Sequence, residues 1–545
     1  MWKIILANRR MLLALATGLL LALSWPARGF PFVSFIAFIP LLFLEEECFR
    51  QRKTKRALSF ALYAWISFFI FNLLTTWWIV FATIPGMIVA VLLNSIFMTI
   101  PWWLMHTGRR LLGGKQGPAP LVVFWLAFEY LHQQWELSWS WLDTGNVFAA
   151  YPAWVQWYEF TGTAGGTLWV LVINLLLFAA LKQYNAHGLF TKKCKWYTGL
   201  AVVIFLLPSV LSWQMWLTYD ETSAPVEVVI IQPAEDPYDR ASTEAEAARR
   251  VEKMISLAKS KITPDTRFVV APEAANPRGI WKHQDESHPT VVRLREHISE
   301  HPGLSWVMGS FTYRLYPPGD PPSPSARPYG NTGQHYDSFN SAIMVEEGRP
   351  VQYYHKSKLV PGIERMPYFT LLAPLSGLVD RFGGIAGSLG TQDDRSVFET
   401  GDEIAVAPAV CYESIYGEYM GRYMQKGATL LFIVTNDGWW RDTPGYRQHN
   451  QYARLRAIES RRSIARSAST GISSFISQKG VITNEIPWGE SGAMVSALNE
   501  NPKITFFTRT GNYFGKFAAF LSALLLLYMF SQYMIQRSQR KLPGG

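Results

Sequence analysis

Long apolar runs fill the first 218 residues, separated by short polar gaps, and one more closes the chain. A helix needs roughly 20 apolar residues to cross ~30 Å of hydrocarbon. The runs predict spans near 11–26, 30–45, 58–80, 83–105, 119–132, 165–181, 197–217 and 514–534. The first is read as a span and not as a cleaved signal, because another run follows with no A-x-A-like site between them. Lys and Arg crowd alternate gaps: Lys3, Arg9 and Arg10; Arg50, Arg52, Lys53, Lys55 and Arg56; Arg109, Arg110 and Lys115; Lys182, Lys192, Lys193 and Lys195; Arg537, Arg540 and Lys541. Between these sets, Arg28 stands alone, and residues 133–164 hold neither Lys nor Arg. Positive loops stay in the cytoplasm. The pattern therefore predicts eight spans with both termini inside and residues 218–513 outside. The loop 133–164, rich in Trp and Tyr, reads either as an interfacial aromatic belt or as a platform where lipid meets a site.

Between the seventh and eighth runs the period changes. Short β-rich segments recur at 226–232, 266–273, 304–311, 340–347, 404–413 and 428–437, with helical spacing at 241–260 and 446–469. A cap signal at Ser242 opens the first of these helices. Strands alternating with helices predict a layered α/β domain. Residues 314–336, rich in Pro, Gly and Ser, read as a surface loop. The predicted division is 1–217 membrane, 218–513 catalytic, and 514–545 last span and tail.

Composition agrees with this division. Of 545 residues only 17% are charged, below the ~25% usual for soluble proteins. The net charge of +10 lies largely in the gaps between apolar runs, which fits a membrane surface better than nucleic acid. Three cysteines are too few for a disulfide scaffold.

Candidate chemistry sits where buried strands end, the place where α/β folds gather their sites. Glu273 ends TRFVVAPE, Cys411 lies near the end of IAVAPAVCYE, and Asn436 and Asp437 end ATLLFIVTND. Lys356, Lys358, Glu364 and Arg365 fall in YYHKSKLVPGIERMPY. Cys411 is the one cysteine of 218–513, so it is either an inert small hydrophobe or a nucleophile. A thiol with pKa ~8.5 needs a base. None of His283, His288, His297, His301, His335, His355 and His449 stands in a setting that looks dedicated. A half-buried carboxylate such as Glu273 can take the proton, and an ammonium such as Lys356 can hold the anion that forms. No metal or nucleotide cofactor is expected: the sequence is read as holding no H-x-x-x-H or C-x-x-C pair with metal spacing and no P-loop or dinucleotide fingerprint. Nucleic-acid signatures are absent too.

The ordered set APEAANP, YHKSKLVP, VCYES and TNDGWW resembles the nitrilase superfamily and, on this membrane block, the bacterial apolipoprotein N-acyltransferases. FEYLHQQWELSWSWLDTGN, YEFTGTAGGTLWVLVINLLL, VVIIQPAEDP and the stretch 448–480 agree. The resemblance implies a polytopic helical membrane domain plus an extracytoplasmic nitrilase-like αββα sandwich. It implies Glu273 as base, Lys356 as catalytic lysine, Cys411 as nucleophile and Glu364 as a second essential carboxylate. Tyr412, Glu413 and Trp439 match pocket-shaping positions, with Asn436 and Tyr238 as supporting candidates. Gly362-Ile363 replaces the family's Phe-Gly, and Tyr238 stands where a Trp is common. The implied activity moves an acyl chain from a phospholipid, with phosphatidylethanolamine the expected donor, through a Cys thioester. The acceptor is the amine of a diacylglyceryl-cysteine on an apolipoprotein, at the periplasmic face of the bacterial inner membrane. Two alternatives are a membrane-anchored amidase and a transporter or receptor. The second has thin support, since Glu129 is the clearest charge within a span.

Overall fold

The computed structural model describes residues 2–27, 29–52, 57–187, 191–221, 223–239, 243–276, 278–368 and 387–539. Arg28, Lys53, Lys55, Arg56, Ser242, Arg540 and Lys541 lie outside the described residues. The chain divides into two compact units: Met1–Trp78, Ile84–Met215 and Asn512–Gly545 form one, Ile79–Thr83 and Trp216–Gly511 the other.

The first unit is helical: α1 (Trp2–Ser24), α2 (Ile39–Arg50), α3 (Leu58–Thr76), α4 (Ile84–Leu111), α5 (Pro120–His132), α6 (Thr163–His187), most of α7 (Lys192–Thr218), and the C-terminal helix Tyr513–Gln539. Five described helices are long and apolar enough to cross a membrane: Leu58–Phe81, Ile84–Leu111, Thr163–His187, Lys192–Thr218 and Tyr513–Gln539. The runs predicted at 30–45 and 119–132 give helices of only 12 and 13 residues. At 1.5 Å per residue that is about 18–20 Å, short of the hydrocarbon thickness. The former breaks at Phe38, because Pro40 cannot continue a helix begun at Ser34. Asn174 of α6 accepts the freed Phe38 N–H at 2.9 Å.

Within residues 133–164, Trp135 and Phe160 are exposed, while Trp141, Phe148 and Tyr158 are fully buried. Glu129 organises them: Oε1 accepts from Trp125 Nε1 (2.8 Å) and the Thr144 N–H (2.7 Å), and Oε2 from Thr167 (2.7 Å). Gly145 is required beside it, since a Cβ there would lie 1.9 Å from the Thr163 carbonyl oxygen. Glu129 is thus a staple between α5, this segment and α6. The glutamate run 45–47 does similar work. Arg10 bonds Glu47, His106 and Arg109 bond Glu45, and Arg109 and Lys182 bond Glu46, which joins α1, α2, α4 and α6. Several cations that mark the loops as positive are therefore also structural.

In the second unit two sheets stack. The first contains β1 (Pro225–Gln232), β2 (Thr266–Val270), β3 (Ile280–Trp281), β4 (Ser305–Leu315), β5 (Arg327–Pro328), β6 (His335–Val345), β7 (Gln352–His355) and, from the end of the domain, Gly492–Asn499. The second contains β8 (Phe398–Glu399), β9 (Ala405–Val410), β10 (Leu430–Thr435), β11 (Ile464–Ala468), β12 (Ser473–Ile476) and β13 (Ile482–Ile486) in the order β13-β12-β11-β10-β9-β8. Strands β1, β2 and β4 run parallel, as do β9, β10 and β11. Period-two alternation divides the core. Phe268 of β2 meets Phe432 of β10 between the sheets, with ring centroids 5.1 Å apart. Val229, Ile231 and Val269 point the other way, onto Val251 and Met254 of α8 (Glu244–Lys259) and Leu294 and Ile298 of α9 (Pro289–Ser299). Each such side chain contributes roughly 1.5–3 kcal/mol by leaving water. α10 (Gly417–Gln425) and α11 (Pro444–Ser460) cover the second sheet, where Ser474 of β12 bonds Asn450 of α11 at 2.8 Å. The layers are helix, sheet, sheet, helix.

Two local readings change. The side chain that caps α8 is Thr243, whose hydroxyl accepts from the Glu246 N–H. The helix predicted to 469 stops at Ser460, where Arg461 turns left-handed (φ +50°), and Ile464–Ala468 is a central strand. Arg461, Arg462 and Arg466 are buried. Arg462 donates to the carbonyls of Ala428, Ser460 and Lys503.

Candidate active site

Four strand ends of the second unit converge. Glu273 follows β2, and its N–H reaches the Thr435 carbonyl. Gly309 of β4 lies against it, where a Cβ would be 2.5 Å from Glu273 Cα. Lys356 follows β7 and donates its N–H to the Asn340 carbonyl at 2.8 Å. Cys411 ends β9 and opens a tight turn with φ +51°; Ala274, after Glu273, is also left-handed (φ +52°). Such conformations cost of order 1–3 kcal/mol each and persist where surrounding structure fixes them, often at active sites. Asn436 follows β10.

The charged groups are buried together. Lys356, 1% exposed, donates to Glu364 Oε1 at 2.9 Å and Glu273 Oε1 at 3.3 Å. Asn340 Nδ2 bridges the same two oxygens at 2.8 and 2.7 Å. The Asn436 N–H holds Glu273 Oε2 at 3.0 Å, and the Val360 N–H holds Glu364 Oε2 at 2.8 Å. Burial alone would pull the Lys356 ammonium down, but Glu273, Glu364 and Cys411 outweigh it and hold the ammonium well above its usual value. Burial, then the Glu273 charge, pushes the Cys411 thiol up, while Lys356 opposes them. The thiol therefore needs both a proton acceptor and the ammonium before it can attack.

A second cluster lies on another side of the sulfur. Cys411, Asp437 and His449 bring potential ligand atoms within 4.8 Å of one another. Asp437 Oδ1 meets His449 Nδ1 at 2.9 Å and accepts from Thr435 at 2.9 Å; Oδ2 accepts from Arg466 at 2.5 Å. Ser414 donates its hydroxyl proton to the Cys411 carbonyl at 2.7 Å, and His449 Nε2 lies 3.1 Å from Ser414 Oγ. Both imidazole nitrogens are therefore engaged away from sulfur. His449 does sit in a dedicated setting, contrary to the sequence reading, and its work is to hold the turn that carries Cys411.

The other predicted residues take different places. Glu413 is fully buried and accepts from the hydroxyls of Tyr354 and Tyr419 and the N–H groups of Ser357, Lys358 and Val410. It ties the loop after Lys356 to the strand before Cys411, which is scaffolding. Tyr412 is buried, and its oxygen accepts from Tyr416 at 3.0 Å. Tyr238 and Trp439 form a half-exposed aromatic pair, centroids 5.1 Å apart, with the Tyr238 hydroxyl on the Phe81 carbonyl at 2.6 Å. His355 stacks on Phe339 and bonds Ser341, and burial pushes it down to about 3, so it is neutral. Asn340 is what sequence reasoning missed, and its signal was a polar residue inside an otherwise apolar strand; Asp437 was named at a strand end but given no role.

Residues 228–501 match the carbon-nitrogen hydrolase family, and residues 17–176 match the apolipoprotein N-acyltransferase N-terminal domain. An apolipoprotein N-acyltransferase of Chlorobaculum tepidum is 28% identical over 522 residues, covering 92% of this chain and 93% of its own. One of Geobacter metallireducens is 26% identical over 526 residues, covering 93% and 92%. A crystallised amidase from Nesterenkonia sp. overlies 52% of this chain and 93% of its own at 15% identity, with a TM-score of 0.34. With the first domain matched in the helical unit and the second in the αββα unit that carries the Cys411 cluster, the chain belongs to the carbon-nitrogen hydrolase family, among its apolipoprotein N-acyltransferases.

Proposed function

We propose that the Cys411 cluster carries a two-step transfer of a fatty acyl chain from a phospholipid to the N-terminal amine of a diacylglyceryl-cysteine. Glu273 takes the thiol proton while Lys356 stabilises the thiolate, and sulfur attacks an ester carbonyl of the donor. The tetrahedral oxyanion is held by Lys356. On collapse the ester C–O bond breaks, Glu273 returns its proton to the leaving alkoxide, and a lysophospholipid departs from the thioester. The acceptor amine then attacks the thioester carbonyl, loses a proton to Glu273, and expels Cys411. A thiol suits this route because its ester is reactive towards amines and the two lipids need not be bound at once. The observation that carries the reading is Lys356, fully buried, shared between two carboxylates and electrostatically coupled to the thiol.

Phosphatidylethanolamine is the proposed donor. The proposed domains are 1–217, 218–513 and 514–545. We read eight spans, with the second and fifth as short ones. Both termini then face the cytoplasm of the bacterial inner membrane, and the catalytic domain faces the periplasm. The alternation of basic gaps supports this placement.

Intact-mass measurement after incubation with phospholipid tests the chemistry. One acyl group should appear on Cys411 and move to a diacylated lipopeptide when it is added. Release as free fatty acid despite the lipopeptide would favour a hydrolase, and an acyl group on another residue would refute the assignment. For topology, Ser287→Cys on the exposed domain surface should react with an impermeant maleimide from the periplasmic side only.

A further inference from the structure

We propose that His297, Glu300 and His301 form a binding site for one divalent transition-metal ion of the zinc type. His297 lies in the last turn of α9, Glu300 is its C-cap residue, and His301 follows just past the helix end. Contrary to the sequence reading, His297 and His301 do form a His-x-x-x-His pair. Their donor atoms all lie within 4.8 Å of one another. A tetrahedral ion with bonds of ~2.1 Å needs donors roughly 3.4 Å apart, a closure that the half-exposed Glu300 side chain can supply by rotation.

The independent sign is His297 itself. Its side chain is fully buried, yet neither ring nitrogen has a hydrogen-bond partner; the nearest charged oxygen, on Glu300, is 3.8 Å from Nδ1. A neutral imidazole presents one donor and one acceptor, and burying both unpaired is unfavourable. Packing against Trp306 and the His301 ring gives the group no polar partner. A metal ion bonded to the unprotonated nitrogen would engage its lone pair and halve that deficit. Two imidazoles and a carboxylate, without thiolate, suit zinc and its neighbours better than magnesium or calcium. The competing cation is Lys259, 2.8 Å from Glu300 Oε2, and both partners are well exposed, so that pair is weak and displaceable. Arg293, one turn earlier, is occupied by Glu252. The other three-donor group, Cys411, Asp437 and His449, does not offer the same opportunity, because the Arg466 guanidinium already occupies the Asp437 carboxylate.

The site lies where α9 leads into β4, on the helix layer, and touches none of the groups around Cys411. Its occupation should therefore stabilise the second unit without entering the acyl-transfer chemistry. The test uses the full chain in detergent, stripped of metal, in a Cys411→Ser background that removes the reactive thiol. Titration with Zn2+ should show one equivalent bound and a raised melting temperature, reversed by chelator and not reproduced by Mg2+. His301→Asn, at a partly exposed position that tolerates the change, should weaken binding by on the order of tenfold or more. Lys259→Met should tighten it. Absence of Zn2+ uptake, or uptake undiminished in His301→Asn, would overturn the proposal.

Discussion

Cys411 lies between two buried carboxylate clusters whose charge counts differ. On one side, Glu273 and Glu364 share the single ammonium of Lys356, so with both carboxylates ionised the cluster carries one net negative charge. A proton arriving from the thiol neutralises it. On the other side, Asp437 is already balanced by Arg466 and backed by His449. A proton there would create a net positive charge in a dry setting. Burial favours neutral assemblies, which supports the proposal that the thiol proton goes to the Glu273 side. The Asp437 side is charge-complete and rigid, and it sets the direction of the sulfur through Ser414 and the Cys411 carbonyl. On the proposed mechanism the two clusters divide the work into proton transfer and aim.

The largest effect should come from removing the sulfur between them. Cys411→Ala should form no acyl-enzyme with phospholipid, by intact mass; an acylated product in that variant would end the comparison. Glu273→Gln keeps the shape but refuses the proton, and should slow thioester formation by about 10²–10⁴-fold. Lys356→Ala should cost roughly 10²–10³-fold with the melting temperature lowered less than activity. If Glu273→Gln acylates at the normal rate while an Asp437 variant does not, the two sides have been assigned the wrong way round.

How much of this was legible in the sequence follows from where each signal lies. Glu273 and Cys411 each stand at or near the end of a β-rich run read from the sequence, whereas Lys356 follows a short strand, β7, that no predicted run covers. Asn340 does not stand out, because it is an inward-facing polar residue on β6 whose purpose shows only when two distant carboxylates meet its amide. His449 is hidden within a polar helix sequence, and only the fold brings Asp437, Arg466 and Ser414 to it. The helix end at 469 was misplaced for the same reason: Arg461, Arg462 and Arg466 find carbonyls or a carboxylate in the interior only once the chain has turned into β11. In the helical unit, apolar runs announced the membrane block. The packing of 133–164 depended on the Glu129 carboxylate, which no periodicity reveals.

The smallest effect on rate, and the sharpest contrast with Glu273, belongs to Asp437. Burial alone would raise its pKa, but Arg466 and His449 outweigh that and hold the carboxyl well below the usual carboxylate range. A depressed folded value means that the charge contributes stability above the unfolded pKa of ~3.9, and that this is lost as pH falls through the folded value. Asp437→Asn leaves Arg466 buried without its counter-charge, which should cost about 3–5 kcal/mol at neutral pH. The melting-temperature gap between the native chain and this variant should be constant near neutrality and close only below about pH 4. Below the melting transition, the variant should still form the acyl-enzyme within about tenfold of the native rate, since it keeps Glu273 and Lys356. A gap that widened as the pH fell would show that Asp437 is not held ionised. A rate loss as deep as that of Glu273→Gln, at unchanged melting temperature, would move Asp437 from aiming the sulfur to taking its proton.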